Sequence, residues 1–187
     1  CEMNGRSLVR MSLQKVGNDY QGAAYPFSLP NLPAKETFEG PIACEVSPSG
    51  DLYIGNLQDS GWGGGQNTGS IVRLRPEGPL PAGIAEVKAM STGLLVEFTQ
   101  PVDADKASLL ESYQLRSYRR VSTPAYGGDD QDERIETPRS IEVSLDRKQV
   151  RIQLAALRAG CVYEVNVGDI GDKGETLFPS QAHYTMR

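Results

Sequence analysis

Histidine occurs once in this chain, as His183, and that limits the acid–base and nucleophilic chemistry the sequence offers. A Ser-His-Asp or Cys-His arrangement needs an imidazole to take the nucleophile's proton, so any triad is confined to the surroundings of that one residue. His183 lies in a strand-like stretch, "AHYTMR", where a lone histidine reads as a surface or edge residue. The three cysteines, Cys1, Cys44 and Cys161, form no C-x-x-C or C-x-x-C-H pattern, so neither zinc nor c-type haem is expected within the chain. One disulfide such as Cys1–Cys44 is one reading of them, and small buried apolar residues is the other.

Three other stretches carry side chains that bind ligands. The loop "GWGGGQNTG" (61–69) is rich in backbone N–H groups but leads into a strand and matches neither phosphate-loop pattern, so a phosphate site is not expected. Its Trp62, with Tyr53, Gln66 and Asn67, makes a candidate ligand-binding set in which the indole stacks on a sugar ring; Trp62 capping a local core is the alternative. In "GGDDQDERIE" (127–136), Asp129, Asp130 and Asp132 supply hard oxygen ligands of the kind calcium takes, although the spacing is not the D-x-[DN]-x-[DN]-G loop and a solvated loop explains the run as well. In "RSYRRVSTPAYGG" (116–128), Arg116, Tyr118, Arg119 and Tyr126 are of the residue types that anchor interfaces, against the plainer reading of a half-buried strand with snorkelling arginines.

These side chains have to be positioned by β-structure, because the pattern offers almost no helix. Period-2 alternation predicts a strand at 6–14, a hairpin from 41–47 and 51–57 around Pro48-Ser49-Gly50, and a strand at 69–76. Prolines and glycines then break the pattern at 76–87. Beyond the break, strands are expected at 85–91, 93–100, 112–120, 140–145, 149–154, 161–167 and 182–187. A helical turn at 103–110 is capped by Asp103 or Asp105. In "VYEVNV" the inward face is ambiguous, since Val162 is out of phase with Tyr163.

The fold class that follows is all-β: a partial propeller-like antiparallel meander over 1–78 and an Ig-like β-sandwich over 79–187. The 187 residues are enough for one domain or two small ones. A net charge of −5 with no basic stripe argues against nucleic acid or an anionic membrane as partner. No apolar run reaches the ~18 to 20 residues of a membrane span. The chain does not start with Met, which is expected of a processed polypeptide, and Cys1 as the lipid-bearing residue of a lipoprotein is one form this could take.

"RSLVRMSLQKVGNDYQGAAYPFSLP", "GPIACEVSPSGDLYIGNLQDSGWGGGQNTGSIVRLRP", "VEFTQPVDADKASLLESYQLRSYRR" and the closing "HYTMR" together resemble the C-terminal region of large secreted bacterial proteins. Those are the planctomycete-type glucose/sorbosone-dehydrogenase-like and haem-binding-domain proteins. The resemblance implies a quinoprotein-like propeller followed by an Ig-like domain and an extracellular or periplasmic location. In the parent family it further implies a quinone cofactor, calcium and haem, with remaining propeller blades or an electron-transfer module as partners. The propeller's catalytic histidine has no counterpart here, so no cofactor of that kind is expected in this chain and catalytic residues are expected to be absent. The expectation is a non-catalytic structural and interaction module. The alternatives are a fragment or subunit that completes a sugar or alcohol dehydrogenase, and a carbohydrate-binding module that holds a glycan on Trp62.

Overall fold

In a computed structural model of the chain, the residues described are 1–3, 5–28, 38–58, 68–124 and 127–187. The protein is all-β with antiparallel sheets, and it divides into two compact units. Among the described residues, no helix is long and apolar enough to cross a membrane.

The first unit comprises Cys1–Arg10 and Pro26–Pro79. Its centre is a three-stranded antiparallel sheet, β3 (Pro41–Val46), β4 (Leu52–Gln58) and β5 (Thr68–Leu74), with β4 in the middle. Ile54 and Asn56 of β4 are buried, while β3 and β5 are exposed along most of their length. The expected turn joins β3 to β4: Gly50 adopts φ +84°, a left-handed conformation that glycine takes without steric cost, and the Ser47 N–H donates to the Asp51 carbonyl at 2.8 Å.

The second unit comprises Met11–Tyr25 and Leu80–Arg187. Two sheets face each other across one apolar core. The six-stranded sheet runs in the order β1 (Val9–Val16), β2 (Asp19–Pro26), β13 (Gln181–Thr185), β12 (Val162–Val167), β8 (Tyr113–Arg119), β9 (Gln131–Glu136). The four-stranded sheet runs in the order β10 (Ser140–Val143), β11 (Gln149–Gln153), β7 (Gly93–Phe98), β6 (Ile84–Met90). A single short helix, α1 (Ala104–Ala107), is capped by Asp103, whose carboxylate accepts the Asp105 and Lys106 amides at 3.1 and 3.2 Å.

The expected boundary at 78/79 is met where the chain passes from Pro79 to Leu80, but residues 11–25 fall with the second unit instead of the first. The reason is β2, which pairs with β13 through His183↔Ala24 and Tyr184↔Ala23. Within the hairpin, Gly22 lets the chains close: a Cβ there would lie 2.0 Å from the Ser12 carbonyl oxygen. Gln14 then acts as a backbone surrogate toward β6. Its side chain accepts the Ala89 N–H at 2.9 Å and donates to the Ala89 carbonyl at 3.0 Å.

The core explains the ambiguous strand. Tyr163, Val165 and Val167 point inward, and Val162, Glu164 and Asn166 occupy the other face. Buried tyrosines are accommodated because their hydroxyls are paired. Tyr25 accepts the Val87 N–H at 2.7 Å, Tyr163 accepts the Arg158 N–H at 2.6 Å, and Tyr113 donates to the Ala107 carbonyl at 2.7 Å.

Candidate functional site

The outer face of the six-stranded sheet holds the densest set of polar side chains. On β8, Tyr113, Leu115 and Ser117 are directed to the inner side, so Gln114, Arg116 and Tyr118 stand on the outer one. Pairing then aligns residues remote in sequence. His183 lies opposite Glu164, Glu164 opposite Arg116, and Arg116 opposite Ile135.

Glu164 is the anchor of this row, only 8% exposed. One carboxylate oxygen accepts from Arg116 Nε at 2.6 Å, and the other accepts from Asn166 and Gln181 at 2.9 and 3.1 Å. Burial pushes its pKa up, but the Asn166 and Arg116 hydrogen bonds outweigh that and hold it below the ordinary glutamate value. Arg116 also pairs with Glu133 at 3.2 Å, and its guanidinium lies 5.0 Å from the centroid of the Tyr118 ring. Arg120 approaches the same ring at 5.8 Å and pairs with Asp130 at 2.9 Å.

His183 Nδ1 is 3.3 Å from the Tyr118 hydroxyl. Burial lowers the imidazole pKa, with Arg116 and Arg120 acting in the same sense against the pull of Glu164 and Asp130. Burial likewise raises the Tyr118 phenol, chiefly opposed by Arg120. A neutral imidazole beside a phenol that resists ionisation is a hydrogen-bonded pair, not an activated nucleophile. Because folding favours the neutral imidazole, stability falls as pH drops below the unfolded value of 6.5 and levels off beneath the folded value. His183→Gln is expected to remove that pH dependence, read by denaturant unfolding above and below pH 6.5.

The calcium expectation does not fit the acidic stretch. Asp132 sits at a register shift in the β8–β9 ladder with φ +51°, and the irregularity aims its carboxylate at arginines: Arg134 at 3.2 Å, Arg119 at 3.9 Å, and Arg158. Asp130 is held by Arg120, and Asp129 is exposed. Among the described residues, no three His, Cys, Asp or Glu side chains converge to hold a metal. The stretch expected as a solvated loop is instead largely strand, because β9 completes the sheet edge with an almost wholly charged sequence.

Of the sequence-based candidates, Arg116 and Tyr118 are therefore brought together, with Arg119 at the strand end beside Asp132. Tyr126, Trp62, Gln66 and Asn67 lie outside the described residues. Tyr53 stands on β4 between Glu45 and Arg73. The disulfide is corrected: all three cysteines are free, Cys1 and Cys44 exposed and Cys161 in the core of the second unit. Glu164, Glu133 and His183 were not foreseen as members of one cluster. The available signal was a glutamate between valines in "VYEVNV", a charge inside an apolar strand.

Next to this cluster lies a groove of about 610 Å³. It opens where the β8–β9 ladder stops, at Leu115↔Glu136, and its walls include Leu110, Glu111, Glu133, Ile135 and Pro138.

These features define an all-β protein whose polar cluster is built from ion pairs and aromatic contacts on one sheet face. No family model matches the chain. No curated protein matches it either. A crystal structure of the S-layer protein rSbsC(31-844) is similar over 58% of this chain, with 23% sequence identity and a TM-score of 0.43. This chain covers 14% of that protein.

Proposed function

We propose that this chain is a non-catalytic structural and interaction module of a secreted or periplasmic multidomain protein related to the quinoprotein-like propeller dehydrogenases. Its first unit contributes propeller-type strands that a neighbouring sheet completes, and its second unit is an Ig-like sandwich. One observation carries the reading. In a sheet of only three strands, Ile42, Val46, Tyr53, Ile71 and Leu74 are all exposed, Ile71 at 78% and Val46 at 62%. A sheet of this size is short of apolar cover, and burying side chains such as Ile71 and Val46 yields about 1.5–3 kcal/mol each. A partner sheet supplies that cover, which is the arrangement the resemblance to propeller proteins implies.

Cys44 tests this directly, because it is exposed and lies opposite Ile54 on the same sheet. In the isolated chain its thiol is expected to react with a maleimide as readily as that of Cys1. In the native multidomain protein Cys44 labelling slows by more than about tenfold relative to Cys1, a protection of roughly 1.4 kcal/mol. Equal labelling of Cys44 in both preparations overturns the proposal.

A further inference from the structure

The groove at the end of the β8–β9 ladder has a chemistry of its own. Its lining brings together the carboxylates of Glu111, Glu133, Glu136 and Glu164, with the guanidinium of Arg116 as its one cationic side chain. Arg116 is already committed to Glu164 and Glu133, and Glu136 accepts only a hydroxyl, from Ser117 at 2.6 Å. The groove is therefore left with excess negative charge. Beside the carboxylates stand Leu110, 44% exposed, and Ile135, 86% exposed.

Backbone adds a second, independent feature. Past Leu115↔Glu136 the strand β8 continues through Gln114 and Tyr113, which pair with Asn166 and Val167 of β12. No strand continues the β9 lane alongside them, so that stretch has a neighbour on one side only. An open strand edge in a groove accepts an extended segment through main-chain hydrogen bonds, with alternate side chains directed to opposite walls.

The geometry points to this groove as a docking site for an extended basic segment of a partner protein, one that alternates lysine or arginine with apolar residues. The segment lies along the Tyr113–Gln114 edge, its cationic side chains meet Glu111, Glu133 and Glu136, and its apolar ones rest on Leu110, Ile135 and Pro138. The inference rests on the reading of the chain as an interaction module and names one of its partners by chemistry. A like-charged segment is rejected by the same carboxylates, so the site discriminates by charge as well as by extension.

The probe is a short fluorescent peptide of alternating lysine and valine, titrated against the full chain and followed by anisotropy. Binding is expected, and it weakens as salt is raised. The double variant Glu111→Gln/Glu133→Gln changes exposed side chains and keeps the fold, which its circular dichroism verifies. It is expected to lose about tenfold in affinity, equivalent to about 1.4 kcal/mol. A version of the peptide with N-methylated alternate amides, which cannot join a strand edge, is expected not to bind. The proposal is overturned if a glutamate–valine peptide binds equally well, if the double variant binds unchanged, or if the N-methylated peptide binds like the parent. Competition by calcium makes the groove an ion site, and dimerisation of the chain that blocks the peptide makes the occupant a second copy; either overturns it too. Loss of this inference leaves Cys44 protection intact, whereas failure of the broader reading shows at Cys44 itself.

Discussion

A fragment spanning residues 80–187, the segment that the proline-rich break delimits, is expected not to fold cooperatively. It lacks β1 and β2, and with them Tyr25 and Ala23, both members of the second unit's core. A tyrosine buries roughly 150–250 Å². At about 25 cal/mol per Å² that is about 4–6 kcal/mol for Tyr25 alone, an upper figure because the unfolded chain already hides some surface. The loss extends to polar groups. The Val87 N–H forfeits Tyr25, and Ala89 forfeits both hydrogen bonds to Gln14. Each polar group left buried and unpaired costs about 1–3 kcal/mol. Set against a total stability of about 5–15 kcal/mol for an ordinary domain, the sum unfolds the fragment. Near-ultraviolet circular dichroism and urea titration of the fragment check this, and addition of a peptide covering residues 8–28 is expected to restore the transition. A fragment with the transition of the full chain would mean that the hairpin is an accessory and that the sandwich is complete without it.

That hairpin shows where sequence reading stopped. Strands such as Gly93–Phe98 and Gln149–Gln153 were legible because large apolar residues recur along them and are buried. The strand Asp19–Pro26 was not, since its buried positions are Gln21, Ala23 and Tyr25, a set with little hydrophobic contrast. The strand Gln131–Glu136 carried no inward apolar signal at all; its one large apolar residue, Ile135, faces solvent, and its pairing is secured by ion pairs at the sheet edge. The site divides in the same way. Arg116 and Tyr118 were recognisable two positions apart on one strand. Their partners Glu164 and His183 come from strands far along the chain, and only register across β8, β12 and β13 places all four on one face. Local pattern gives a strand its two faces, but which strand lies beside it is decided by tertiary pairing.

Arg158→Met is expected to release the β9 edge while leaving the rest of the sandwich folded. Arg158 is 16% exposed and stands outside the outer-face cluster, yet its guanidinium ties three groups together. It donates to the fully buried Ser117 Oγ at 2.7 Å, to the Asp132 carbonyl at 3.1 Å, and to the Asp132 carboxylate. Ser117 belongs to β8 and Asp132 to β9, so the side chain clamps the two strands at the point where their register shifts. Methionine keeps the apolar stem and removes every donor. A hydrogen bond from a charged donor to a buried hydroxyl is worth about 1.5–3 kcal/mol, and that loss falls on an edge strand with no apolar anchor of its own. The opening is therefore local. Hydrogen exchange is expected to accelerate at the amides of residues 131–136 by roughly tenfold to a hundredfold, the ratio that 1.5–3 kcal/mol implies at about 1.4 kcal/mol per decade. Exchange in β7, β11 and β12 is expected to stay unchanged. Because Glu133, Ile135 and Glu136 are carried on β9, the same variant is expected to lose the lysine–valine peptide although no groove residue has been altered. Uniform acceleration across both sheets would instead make Arg158 a determinant of the whole fold. Unchanged exchange at 131–136 would mean that the backbone ladder to β8 holds the edge without it.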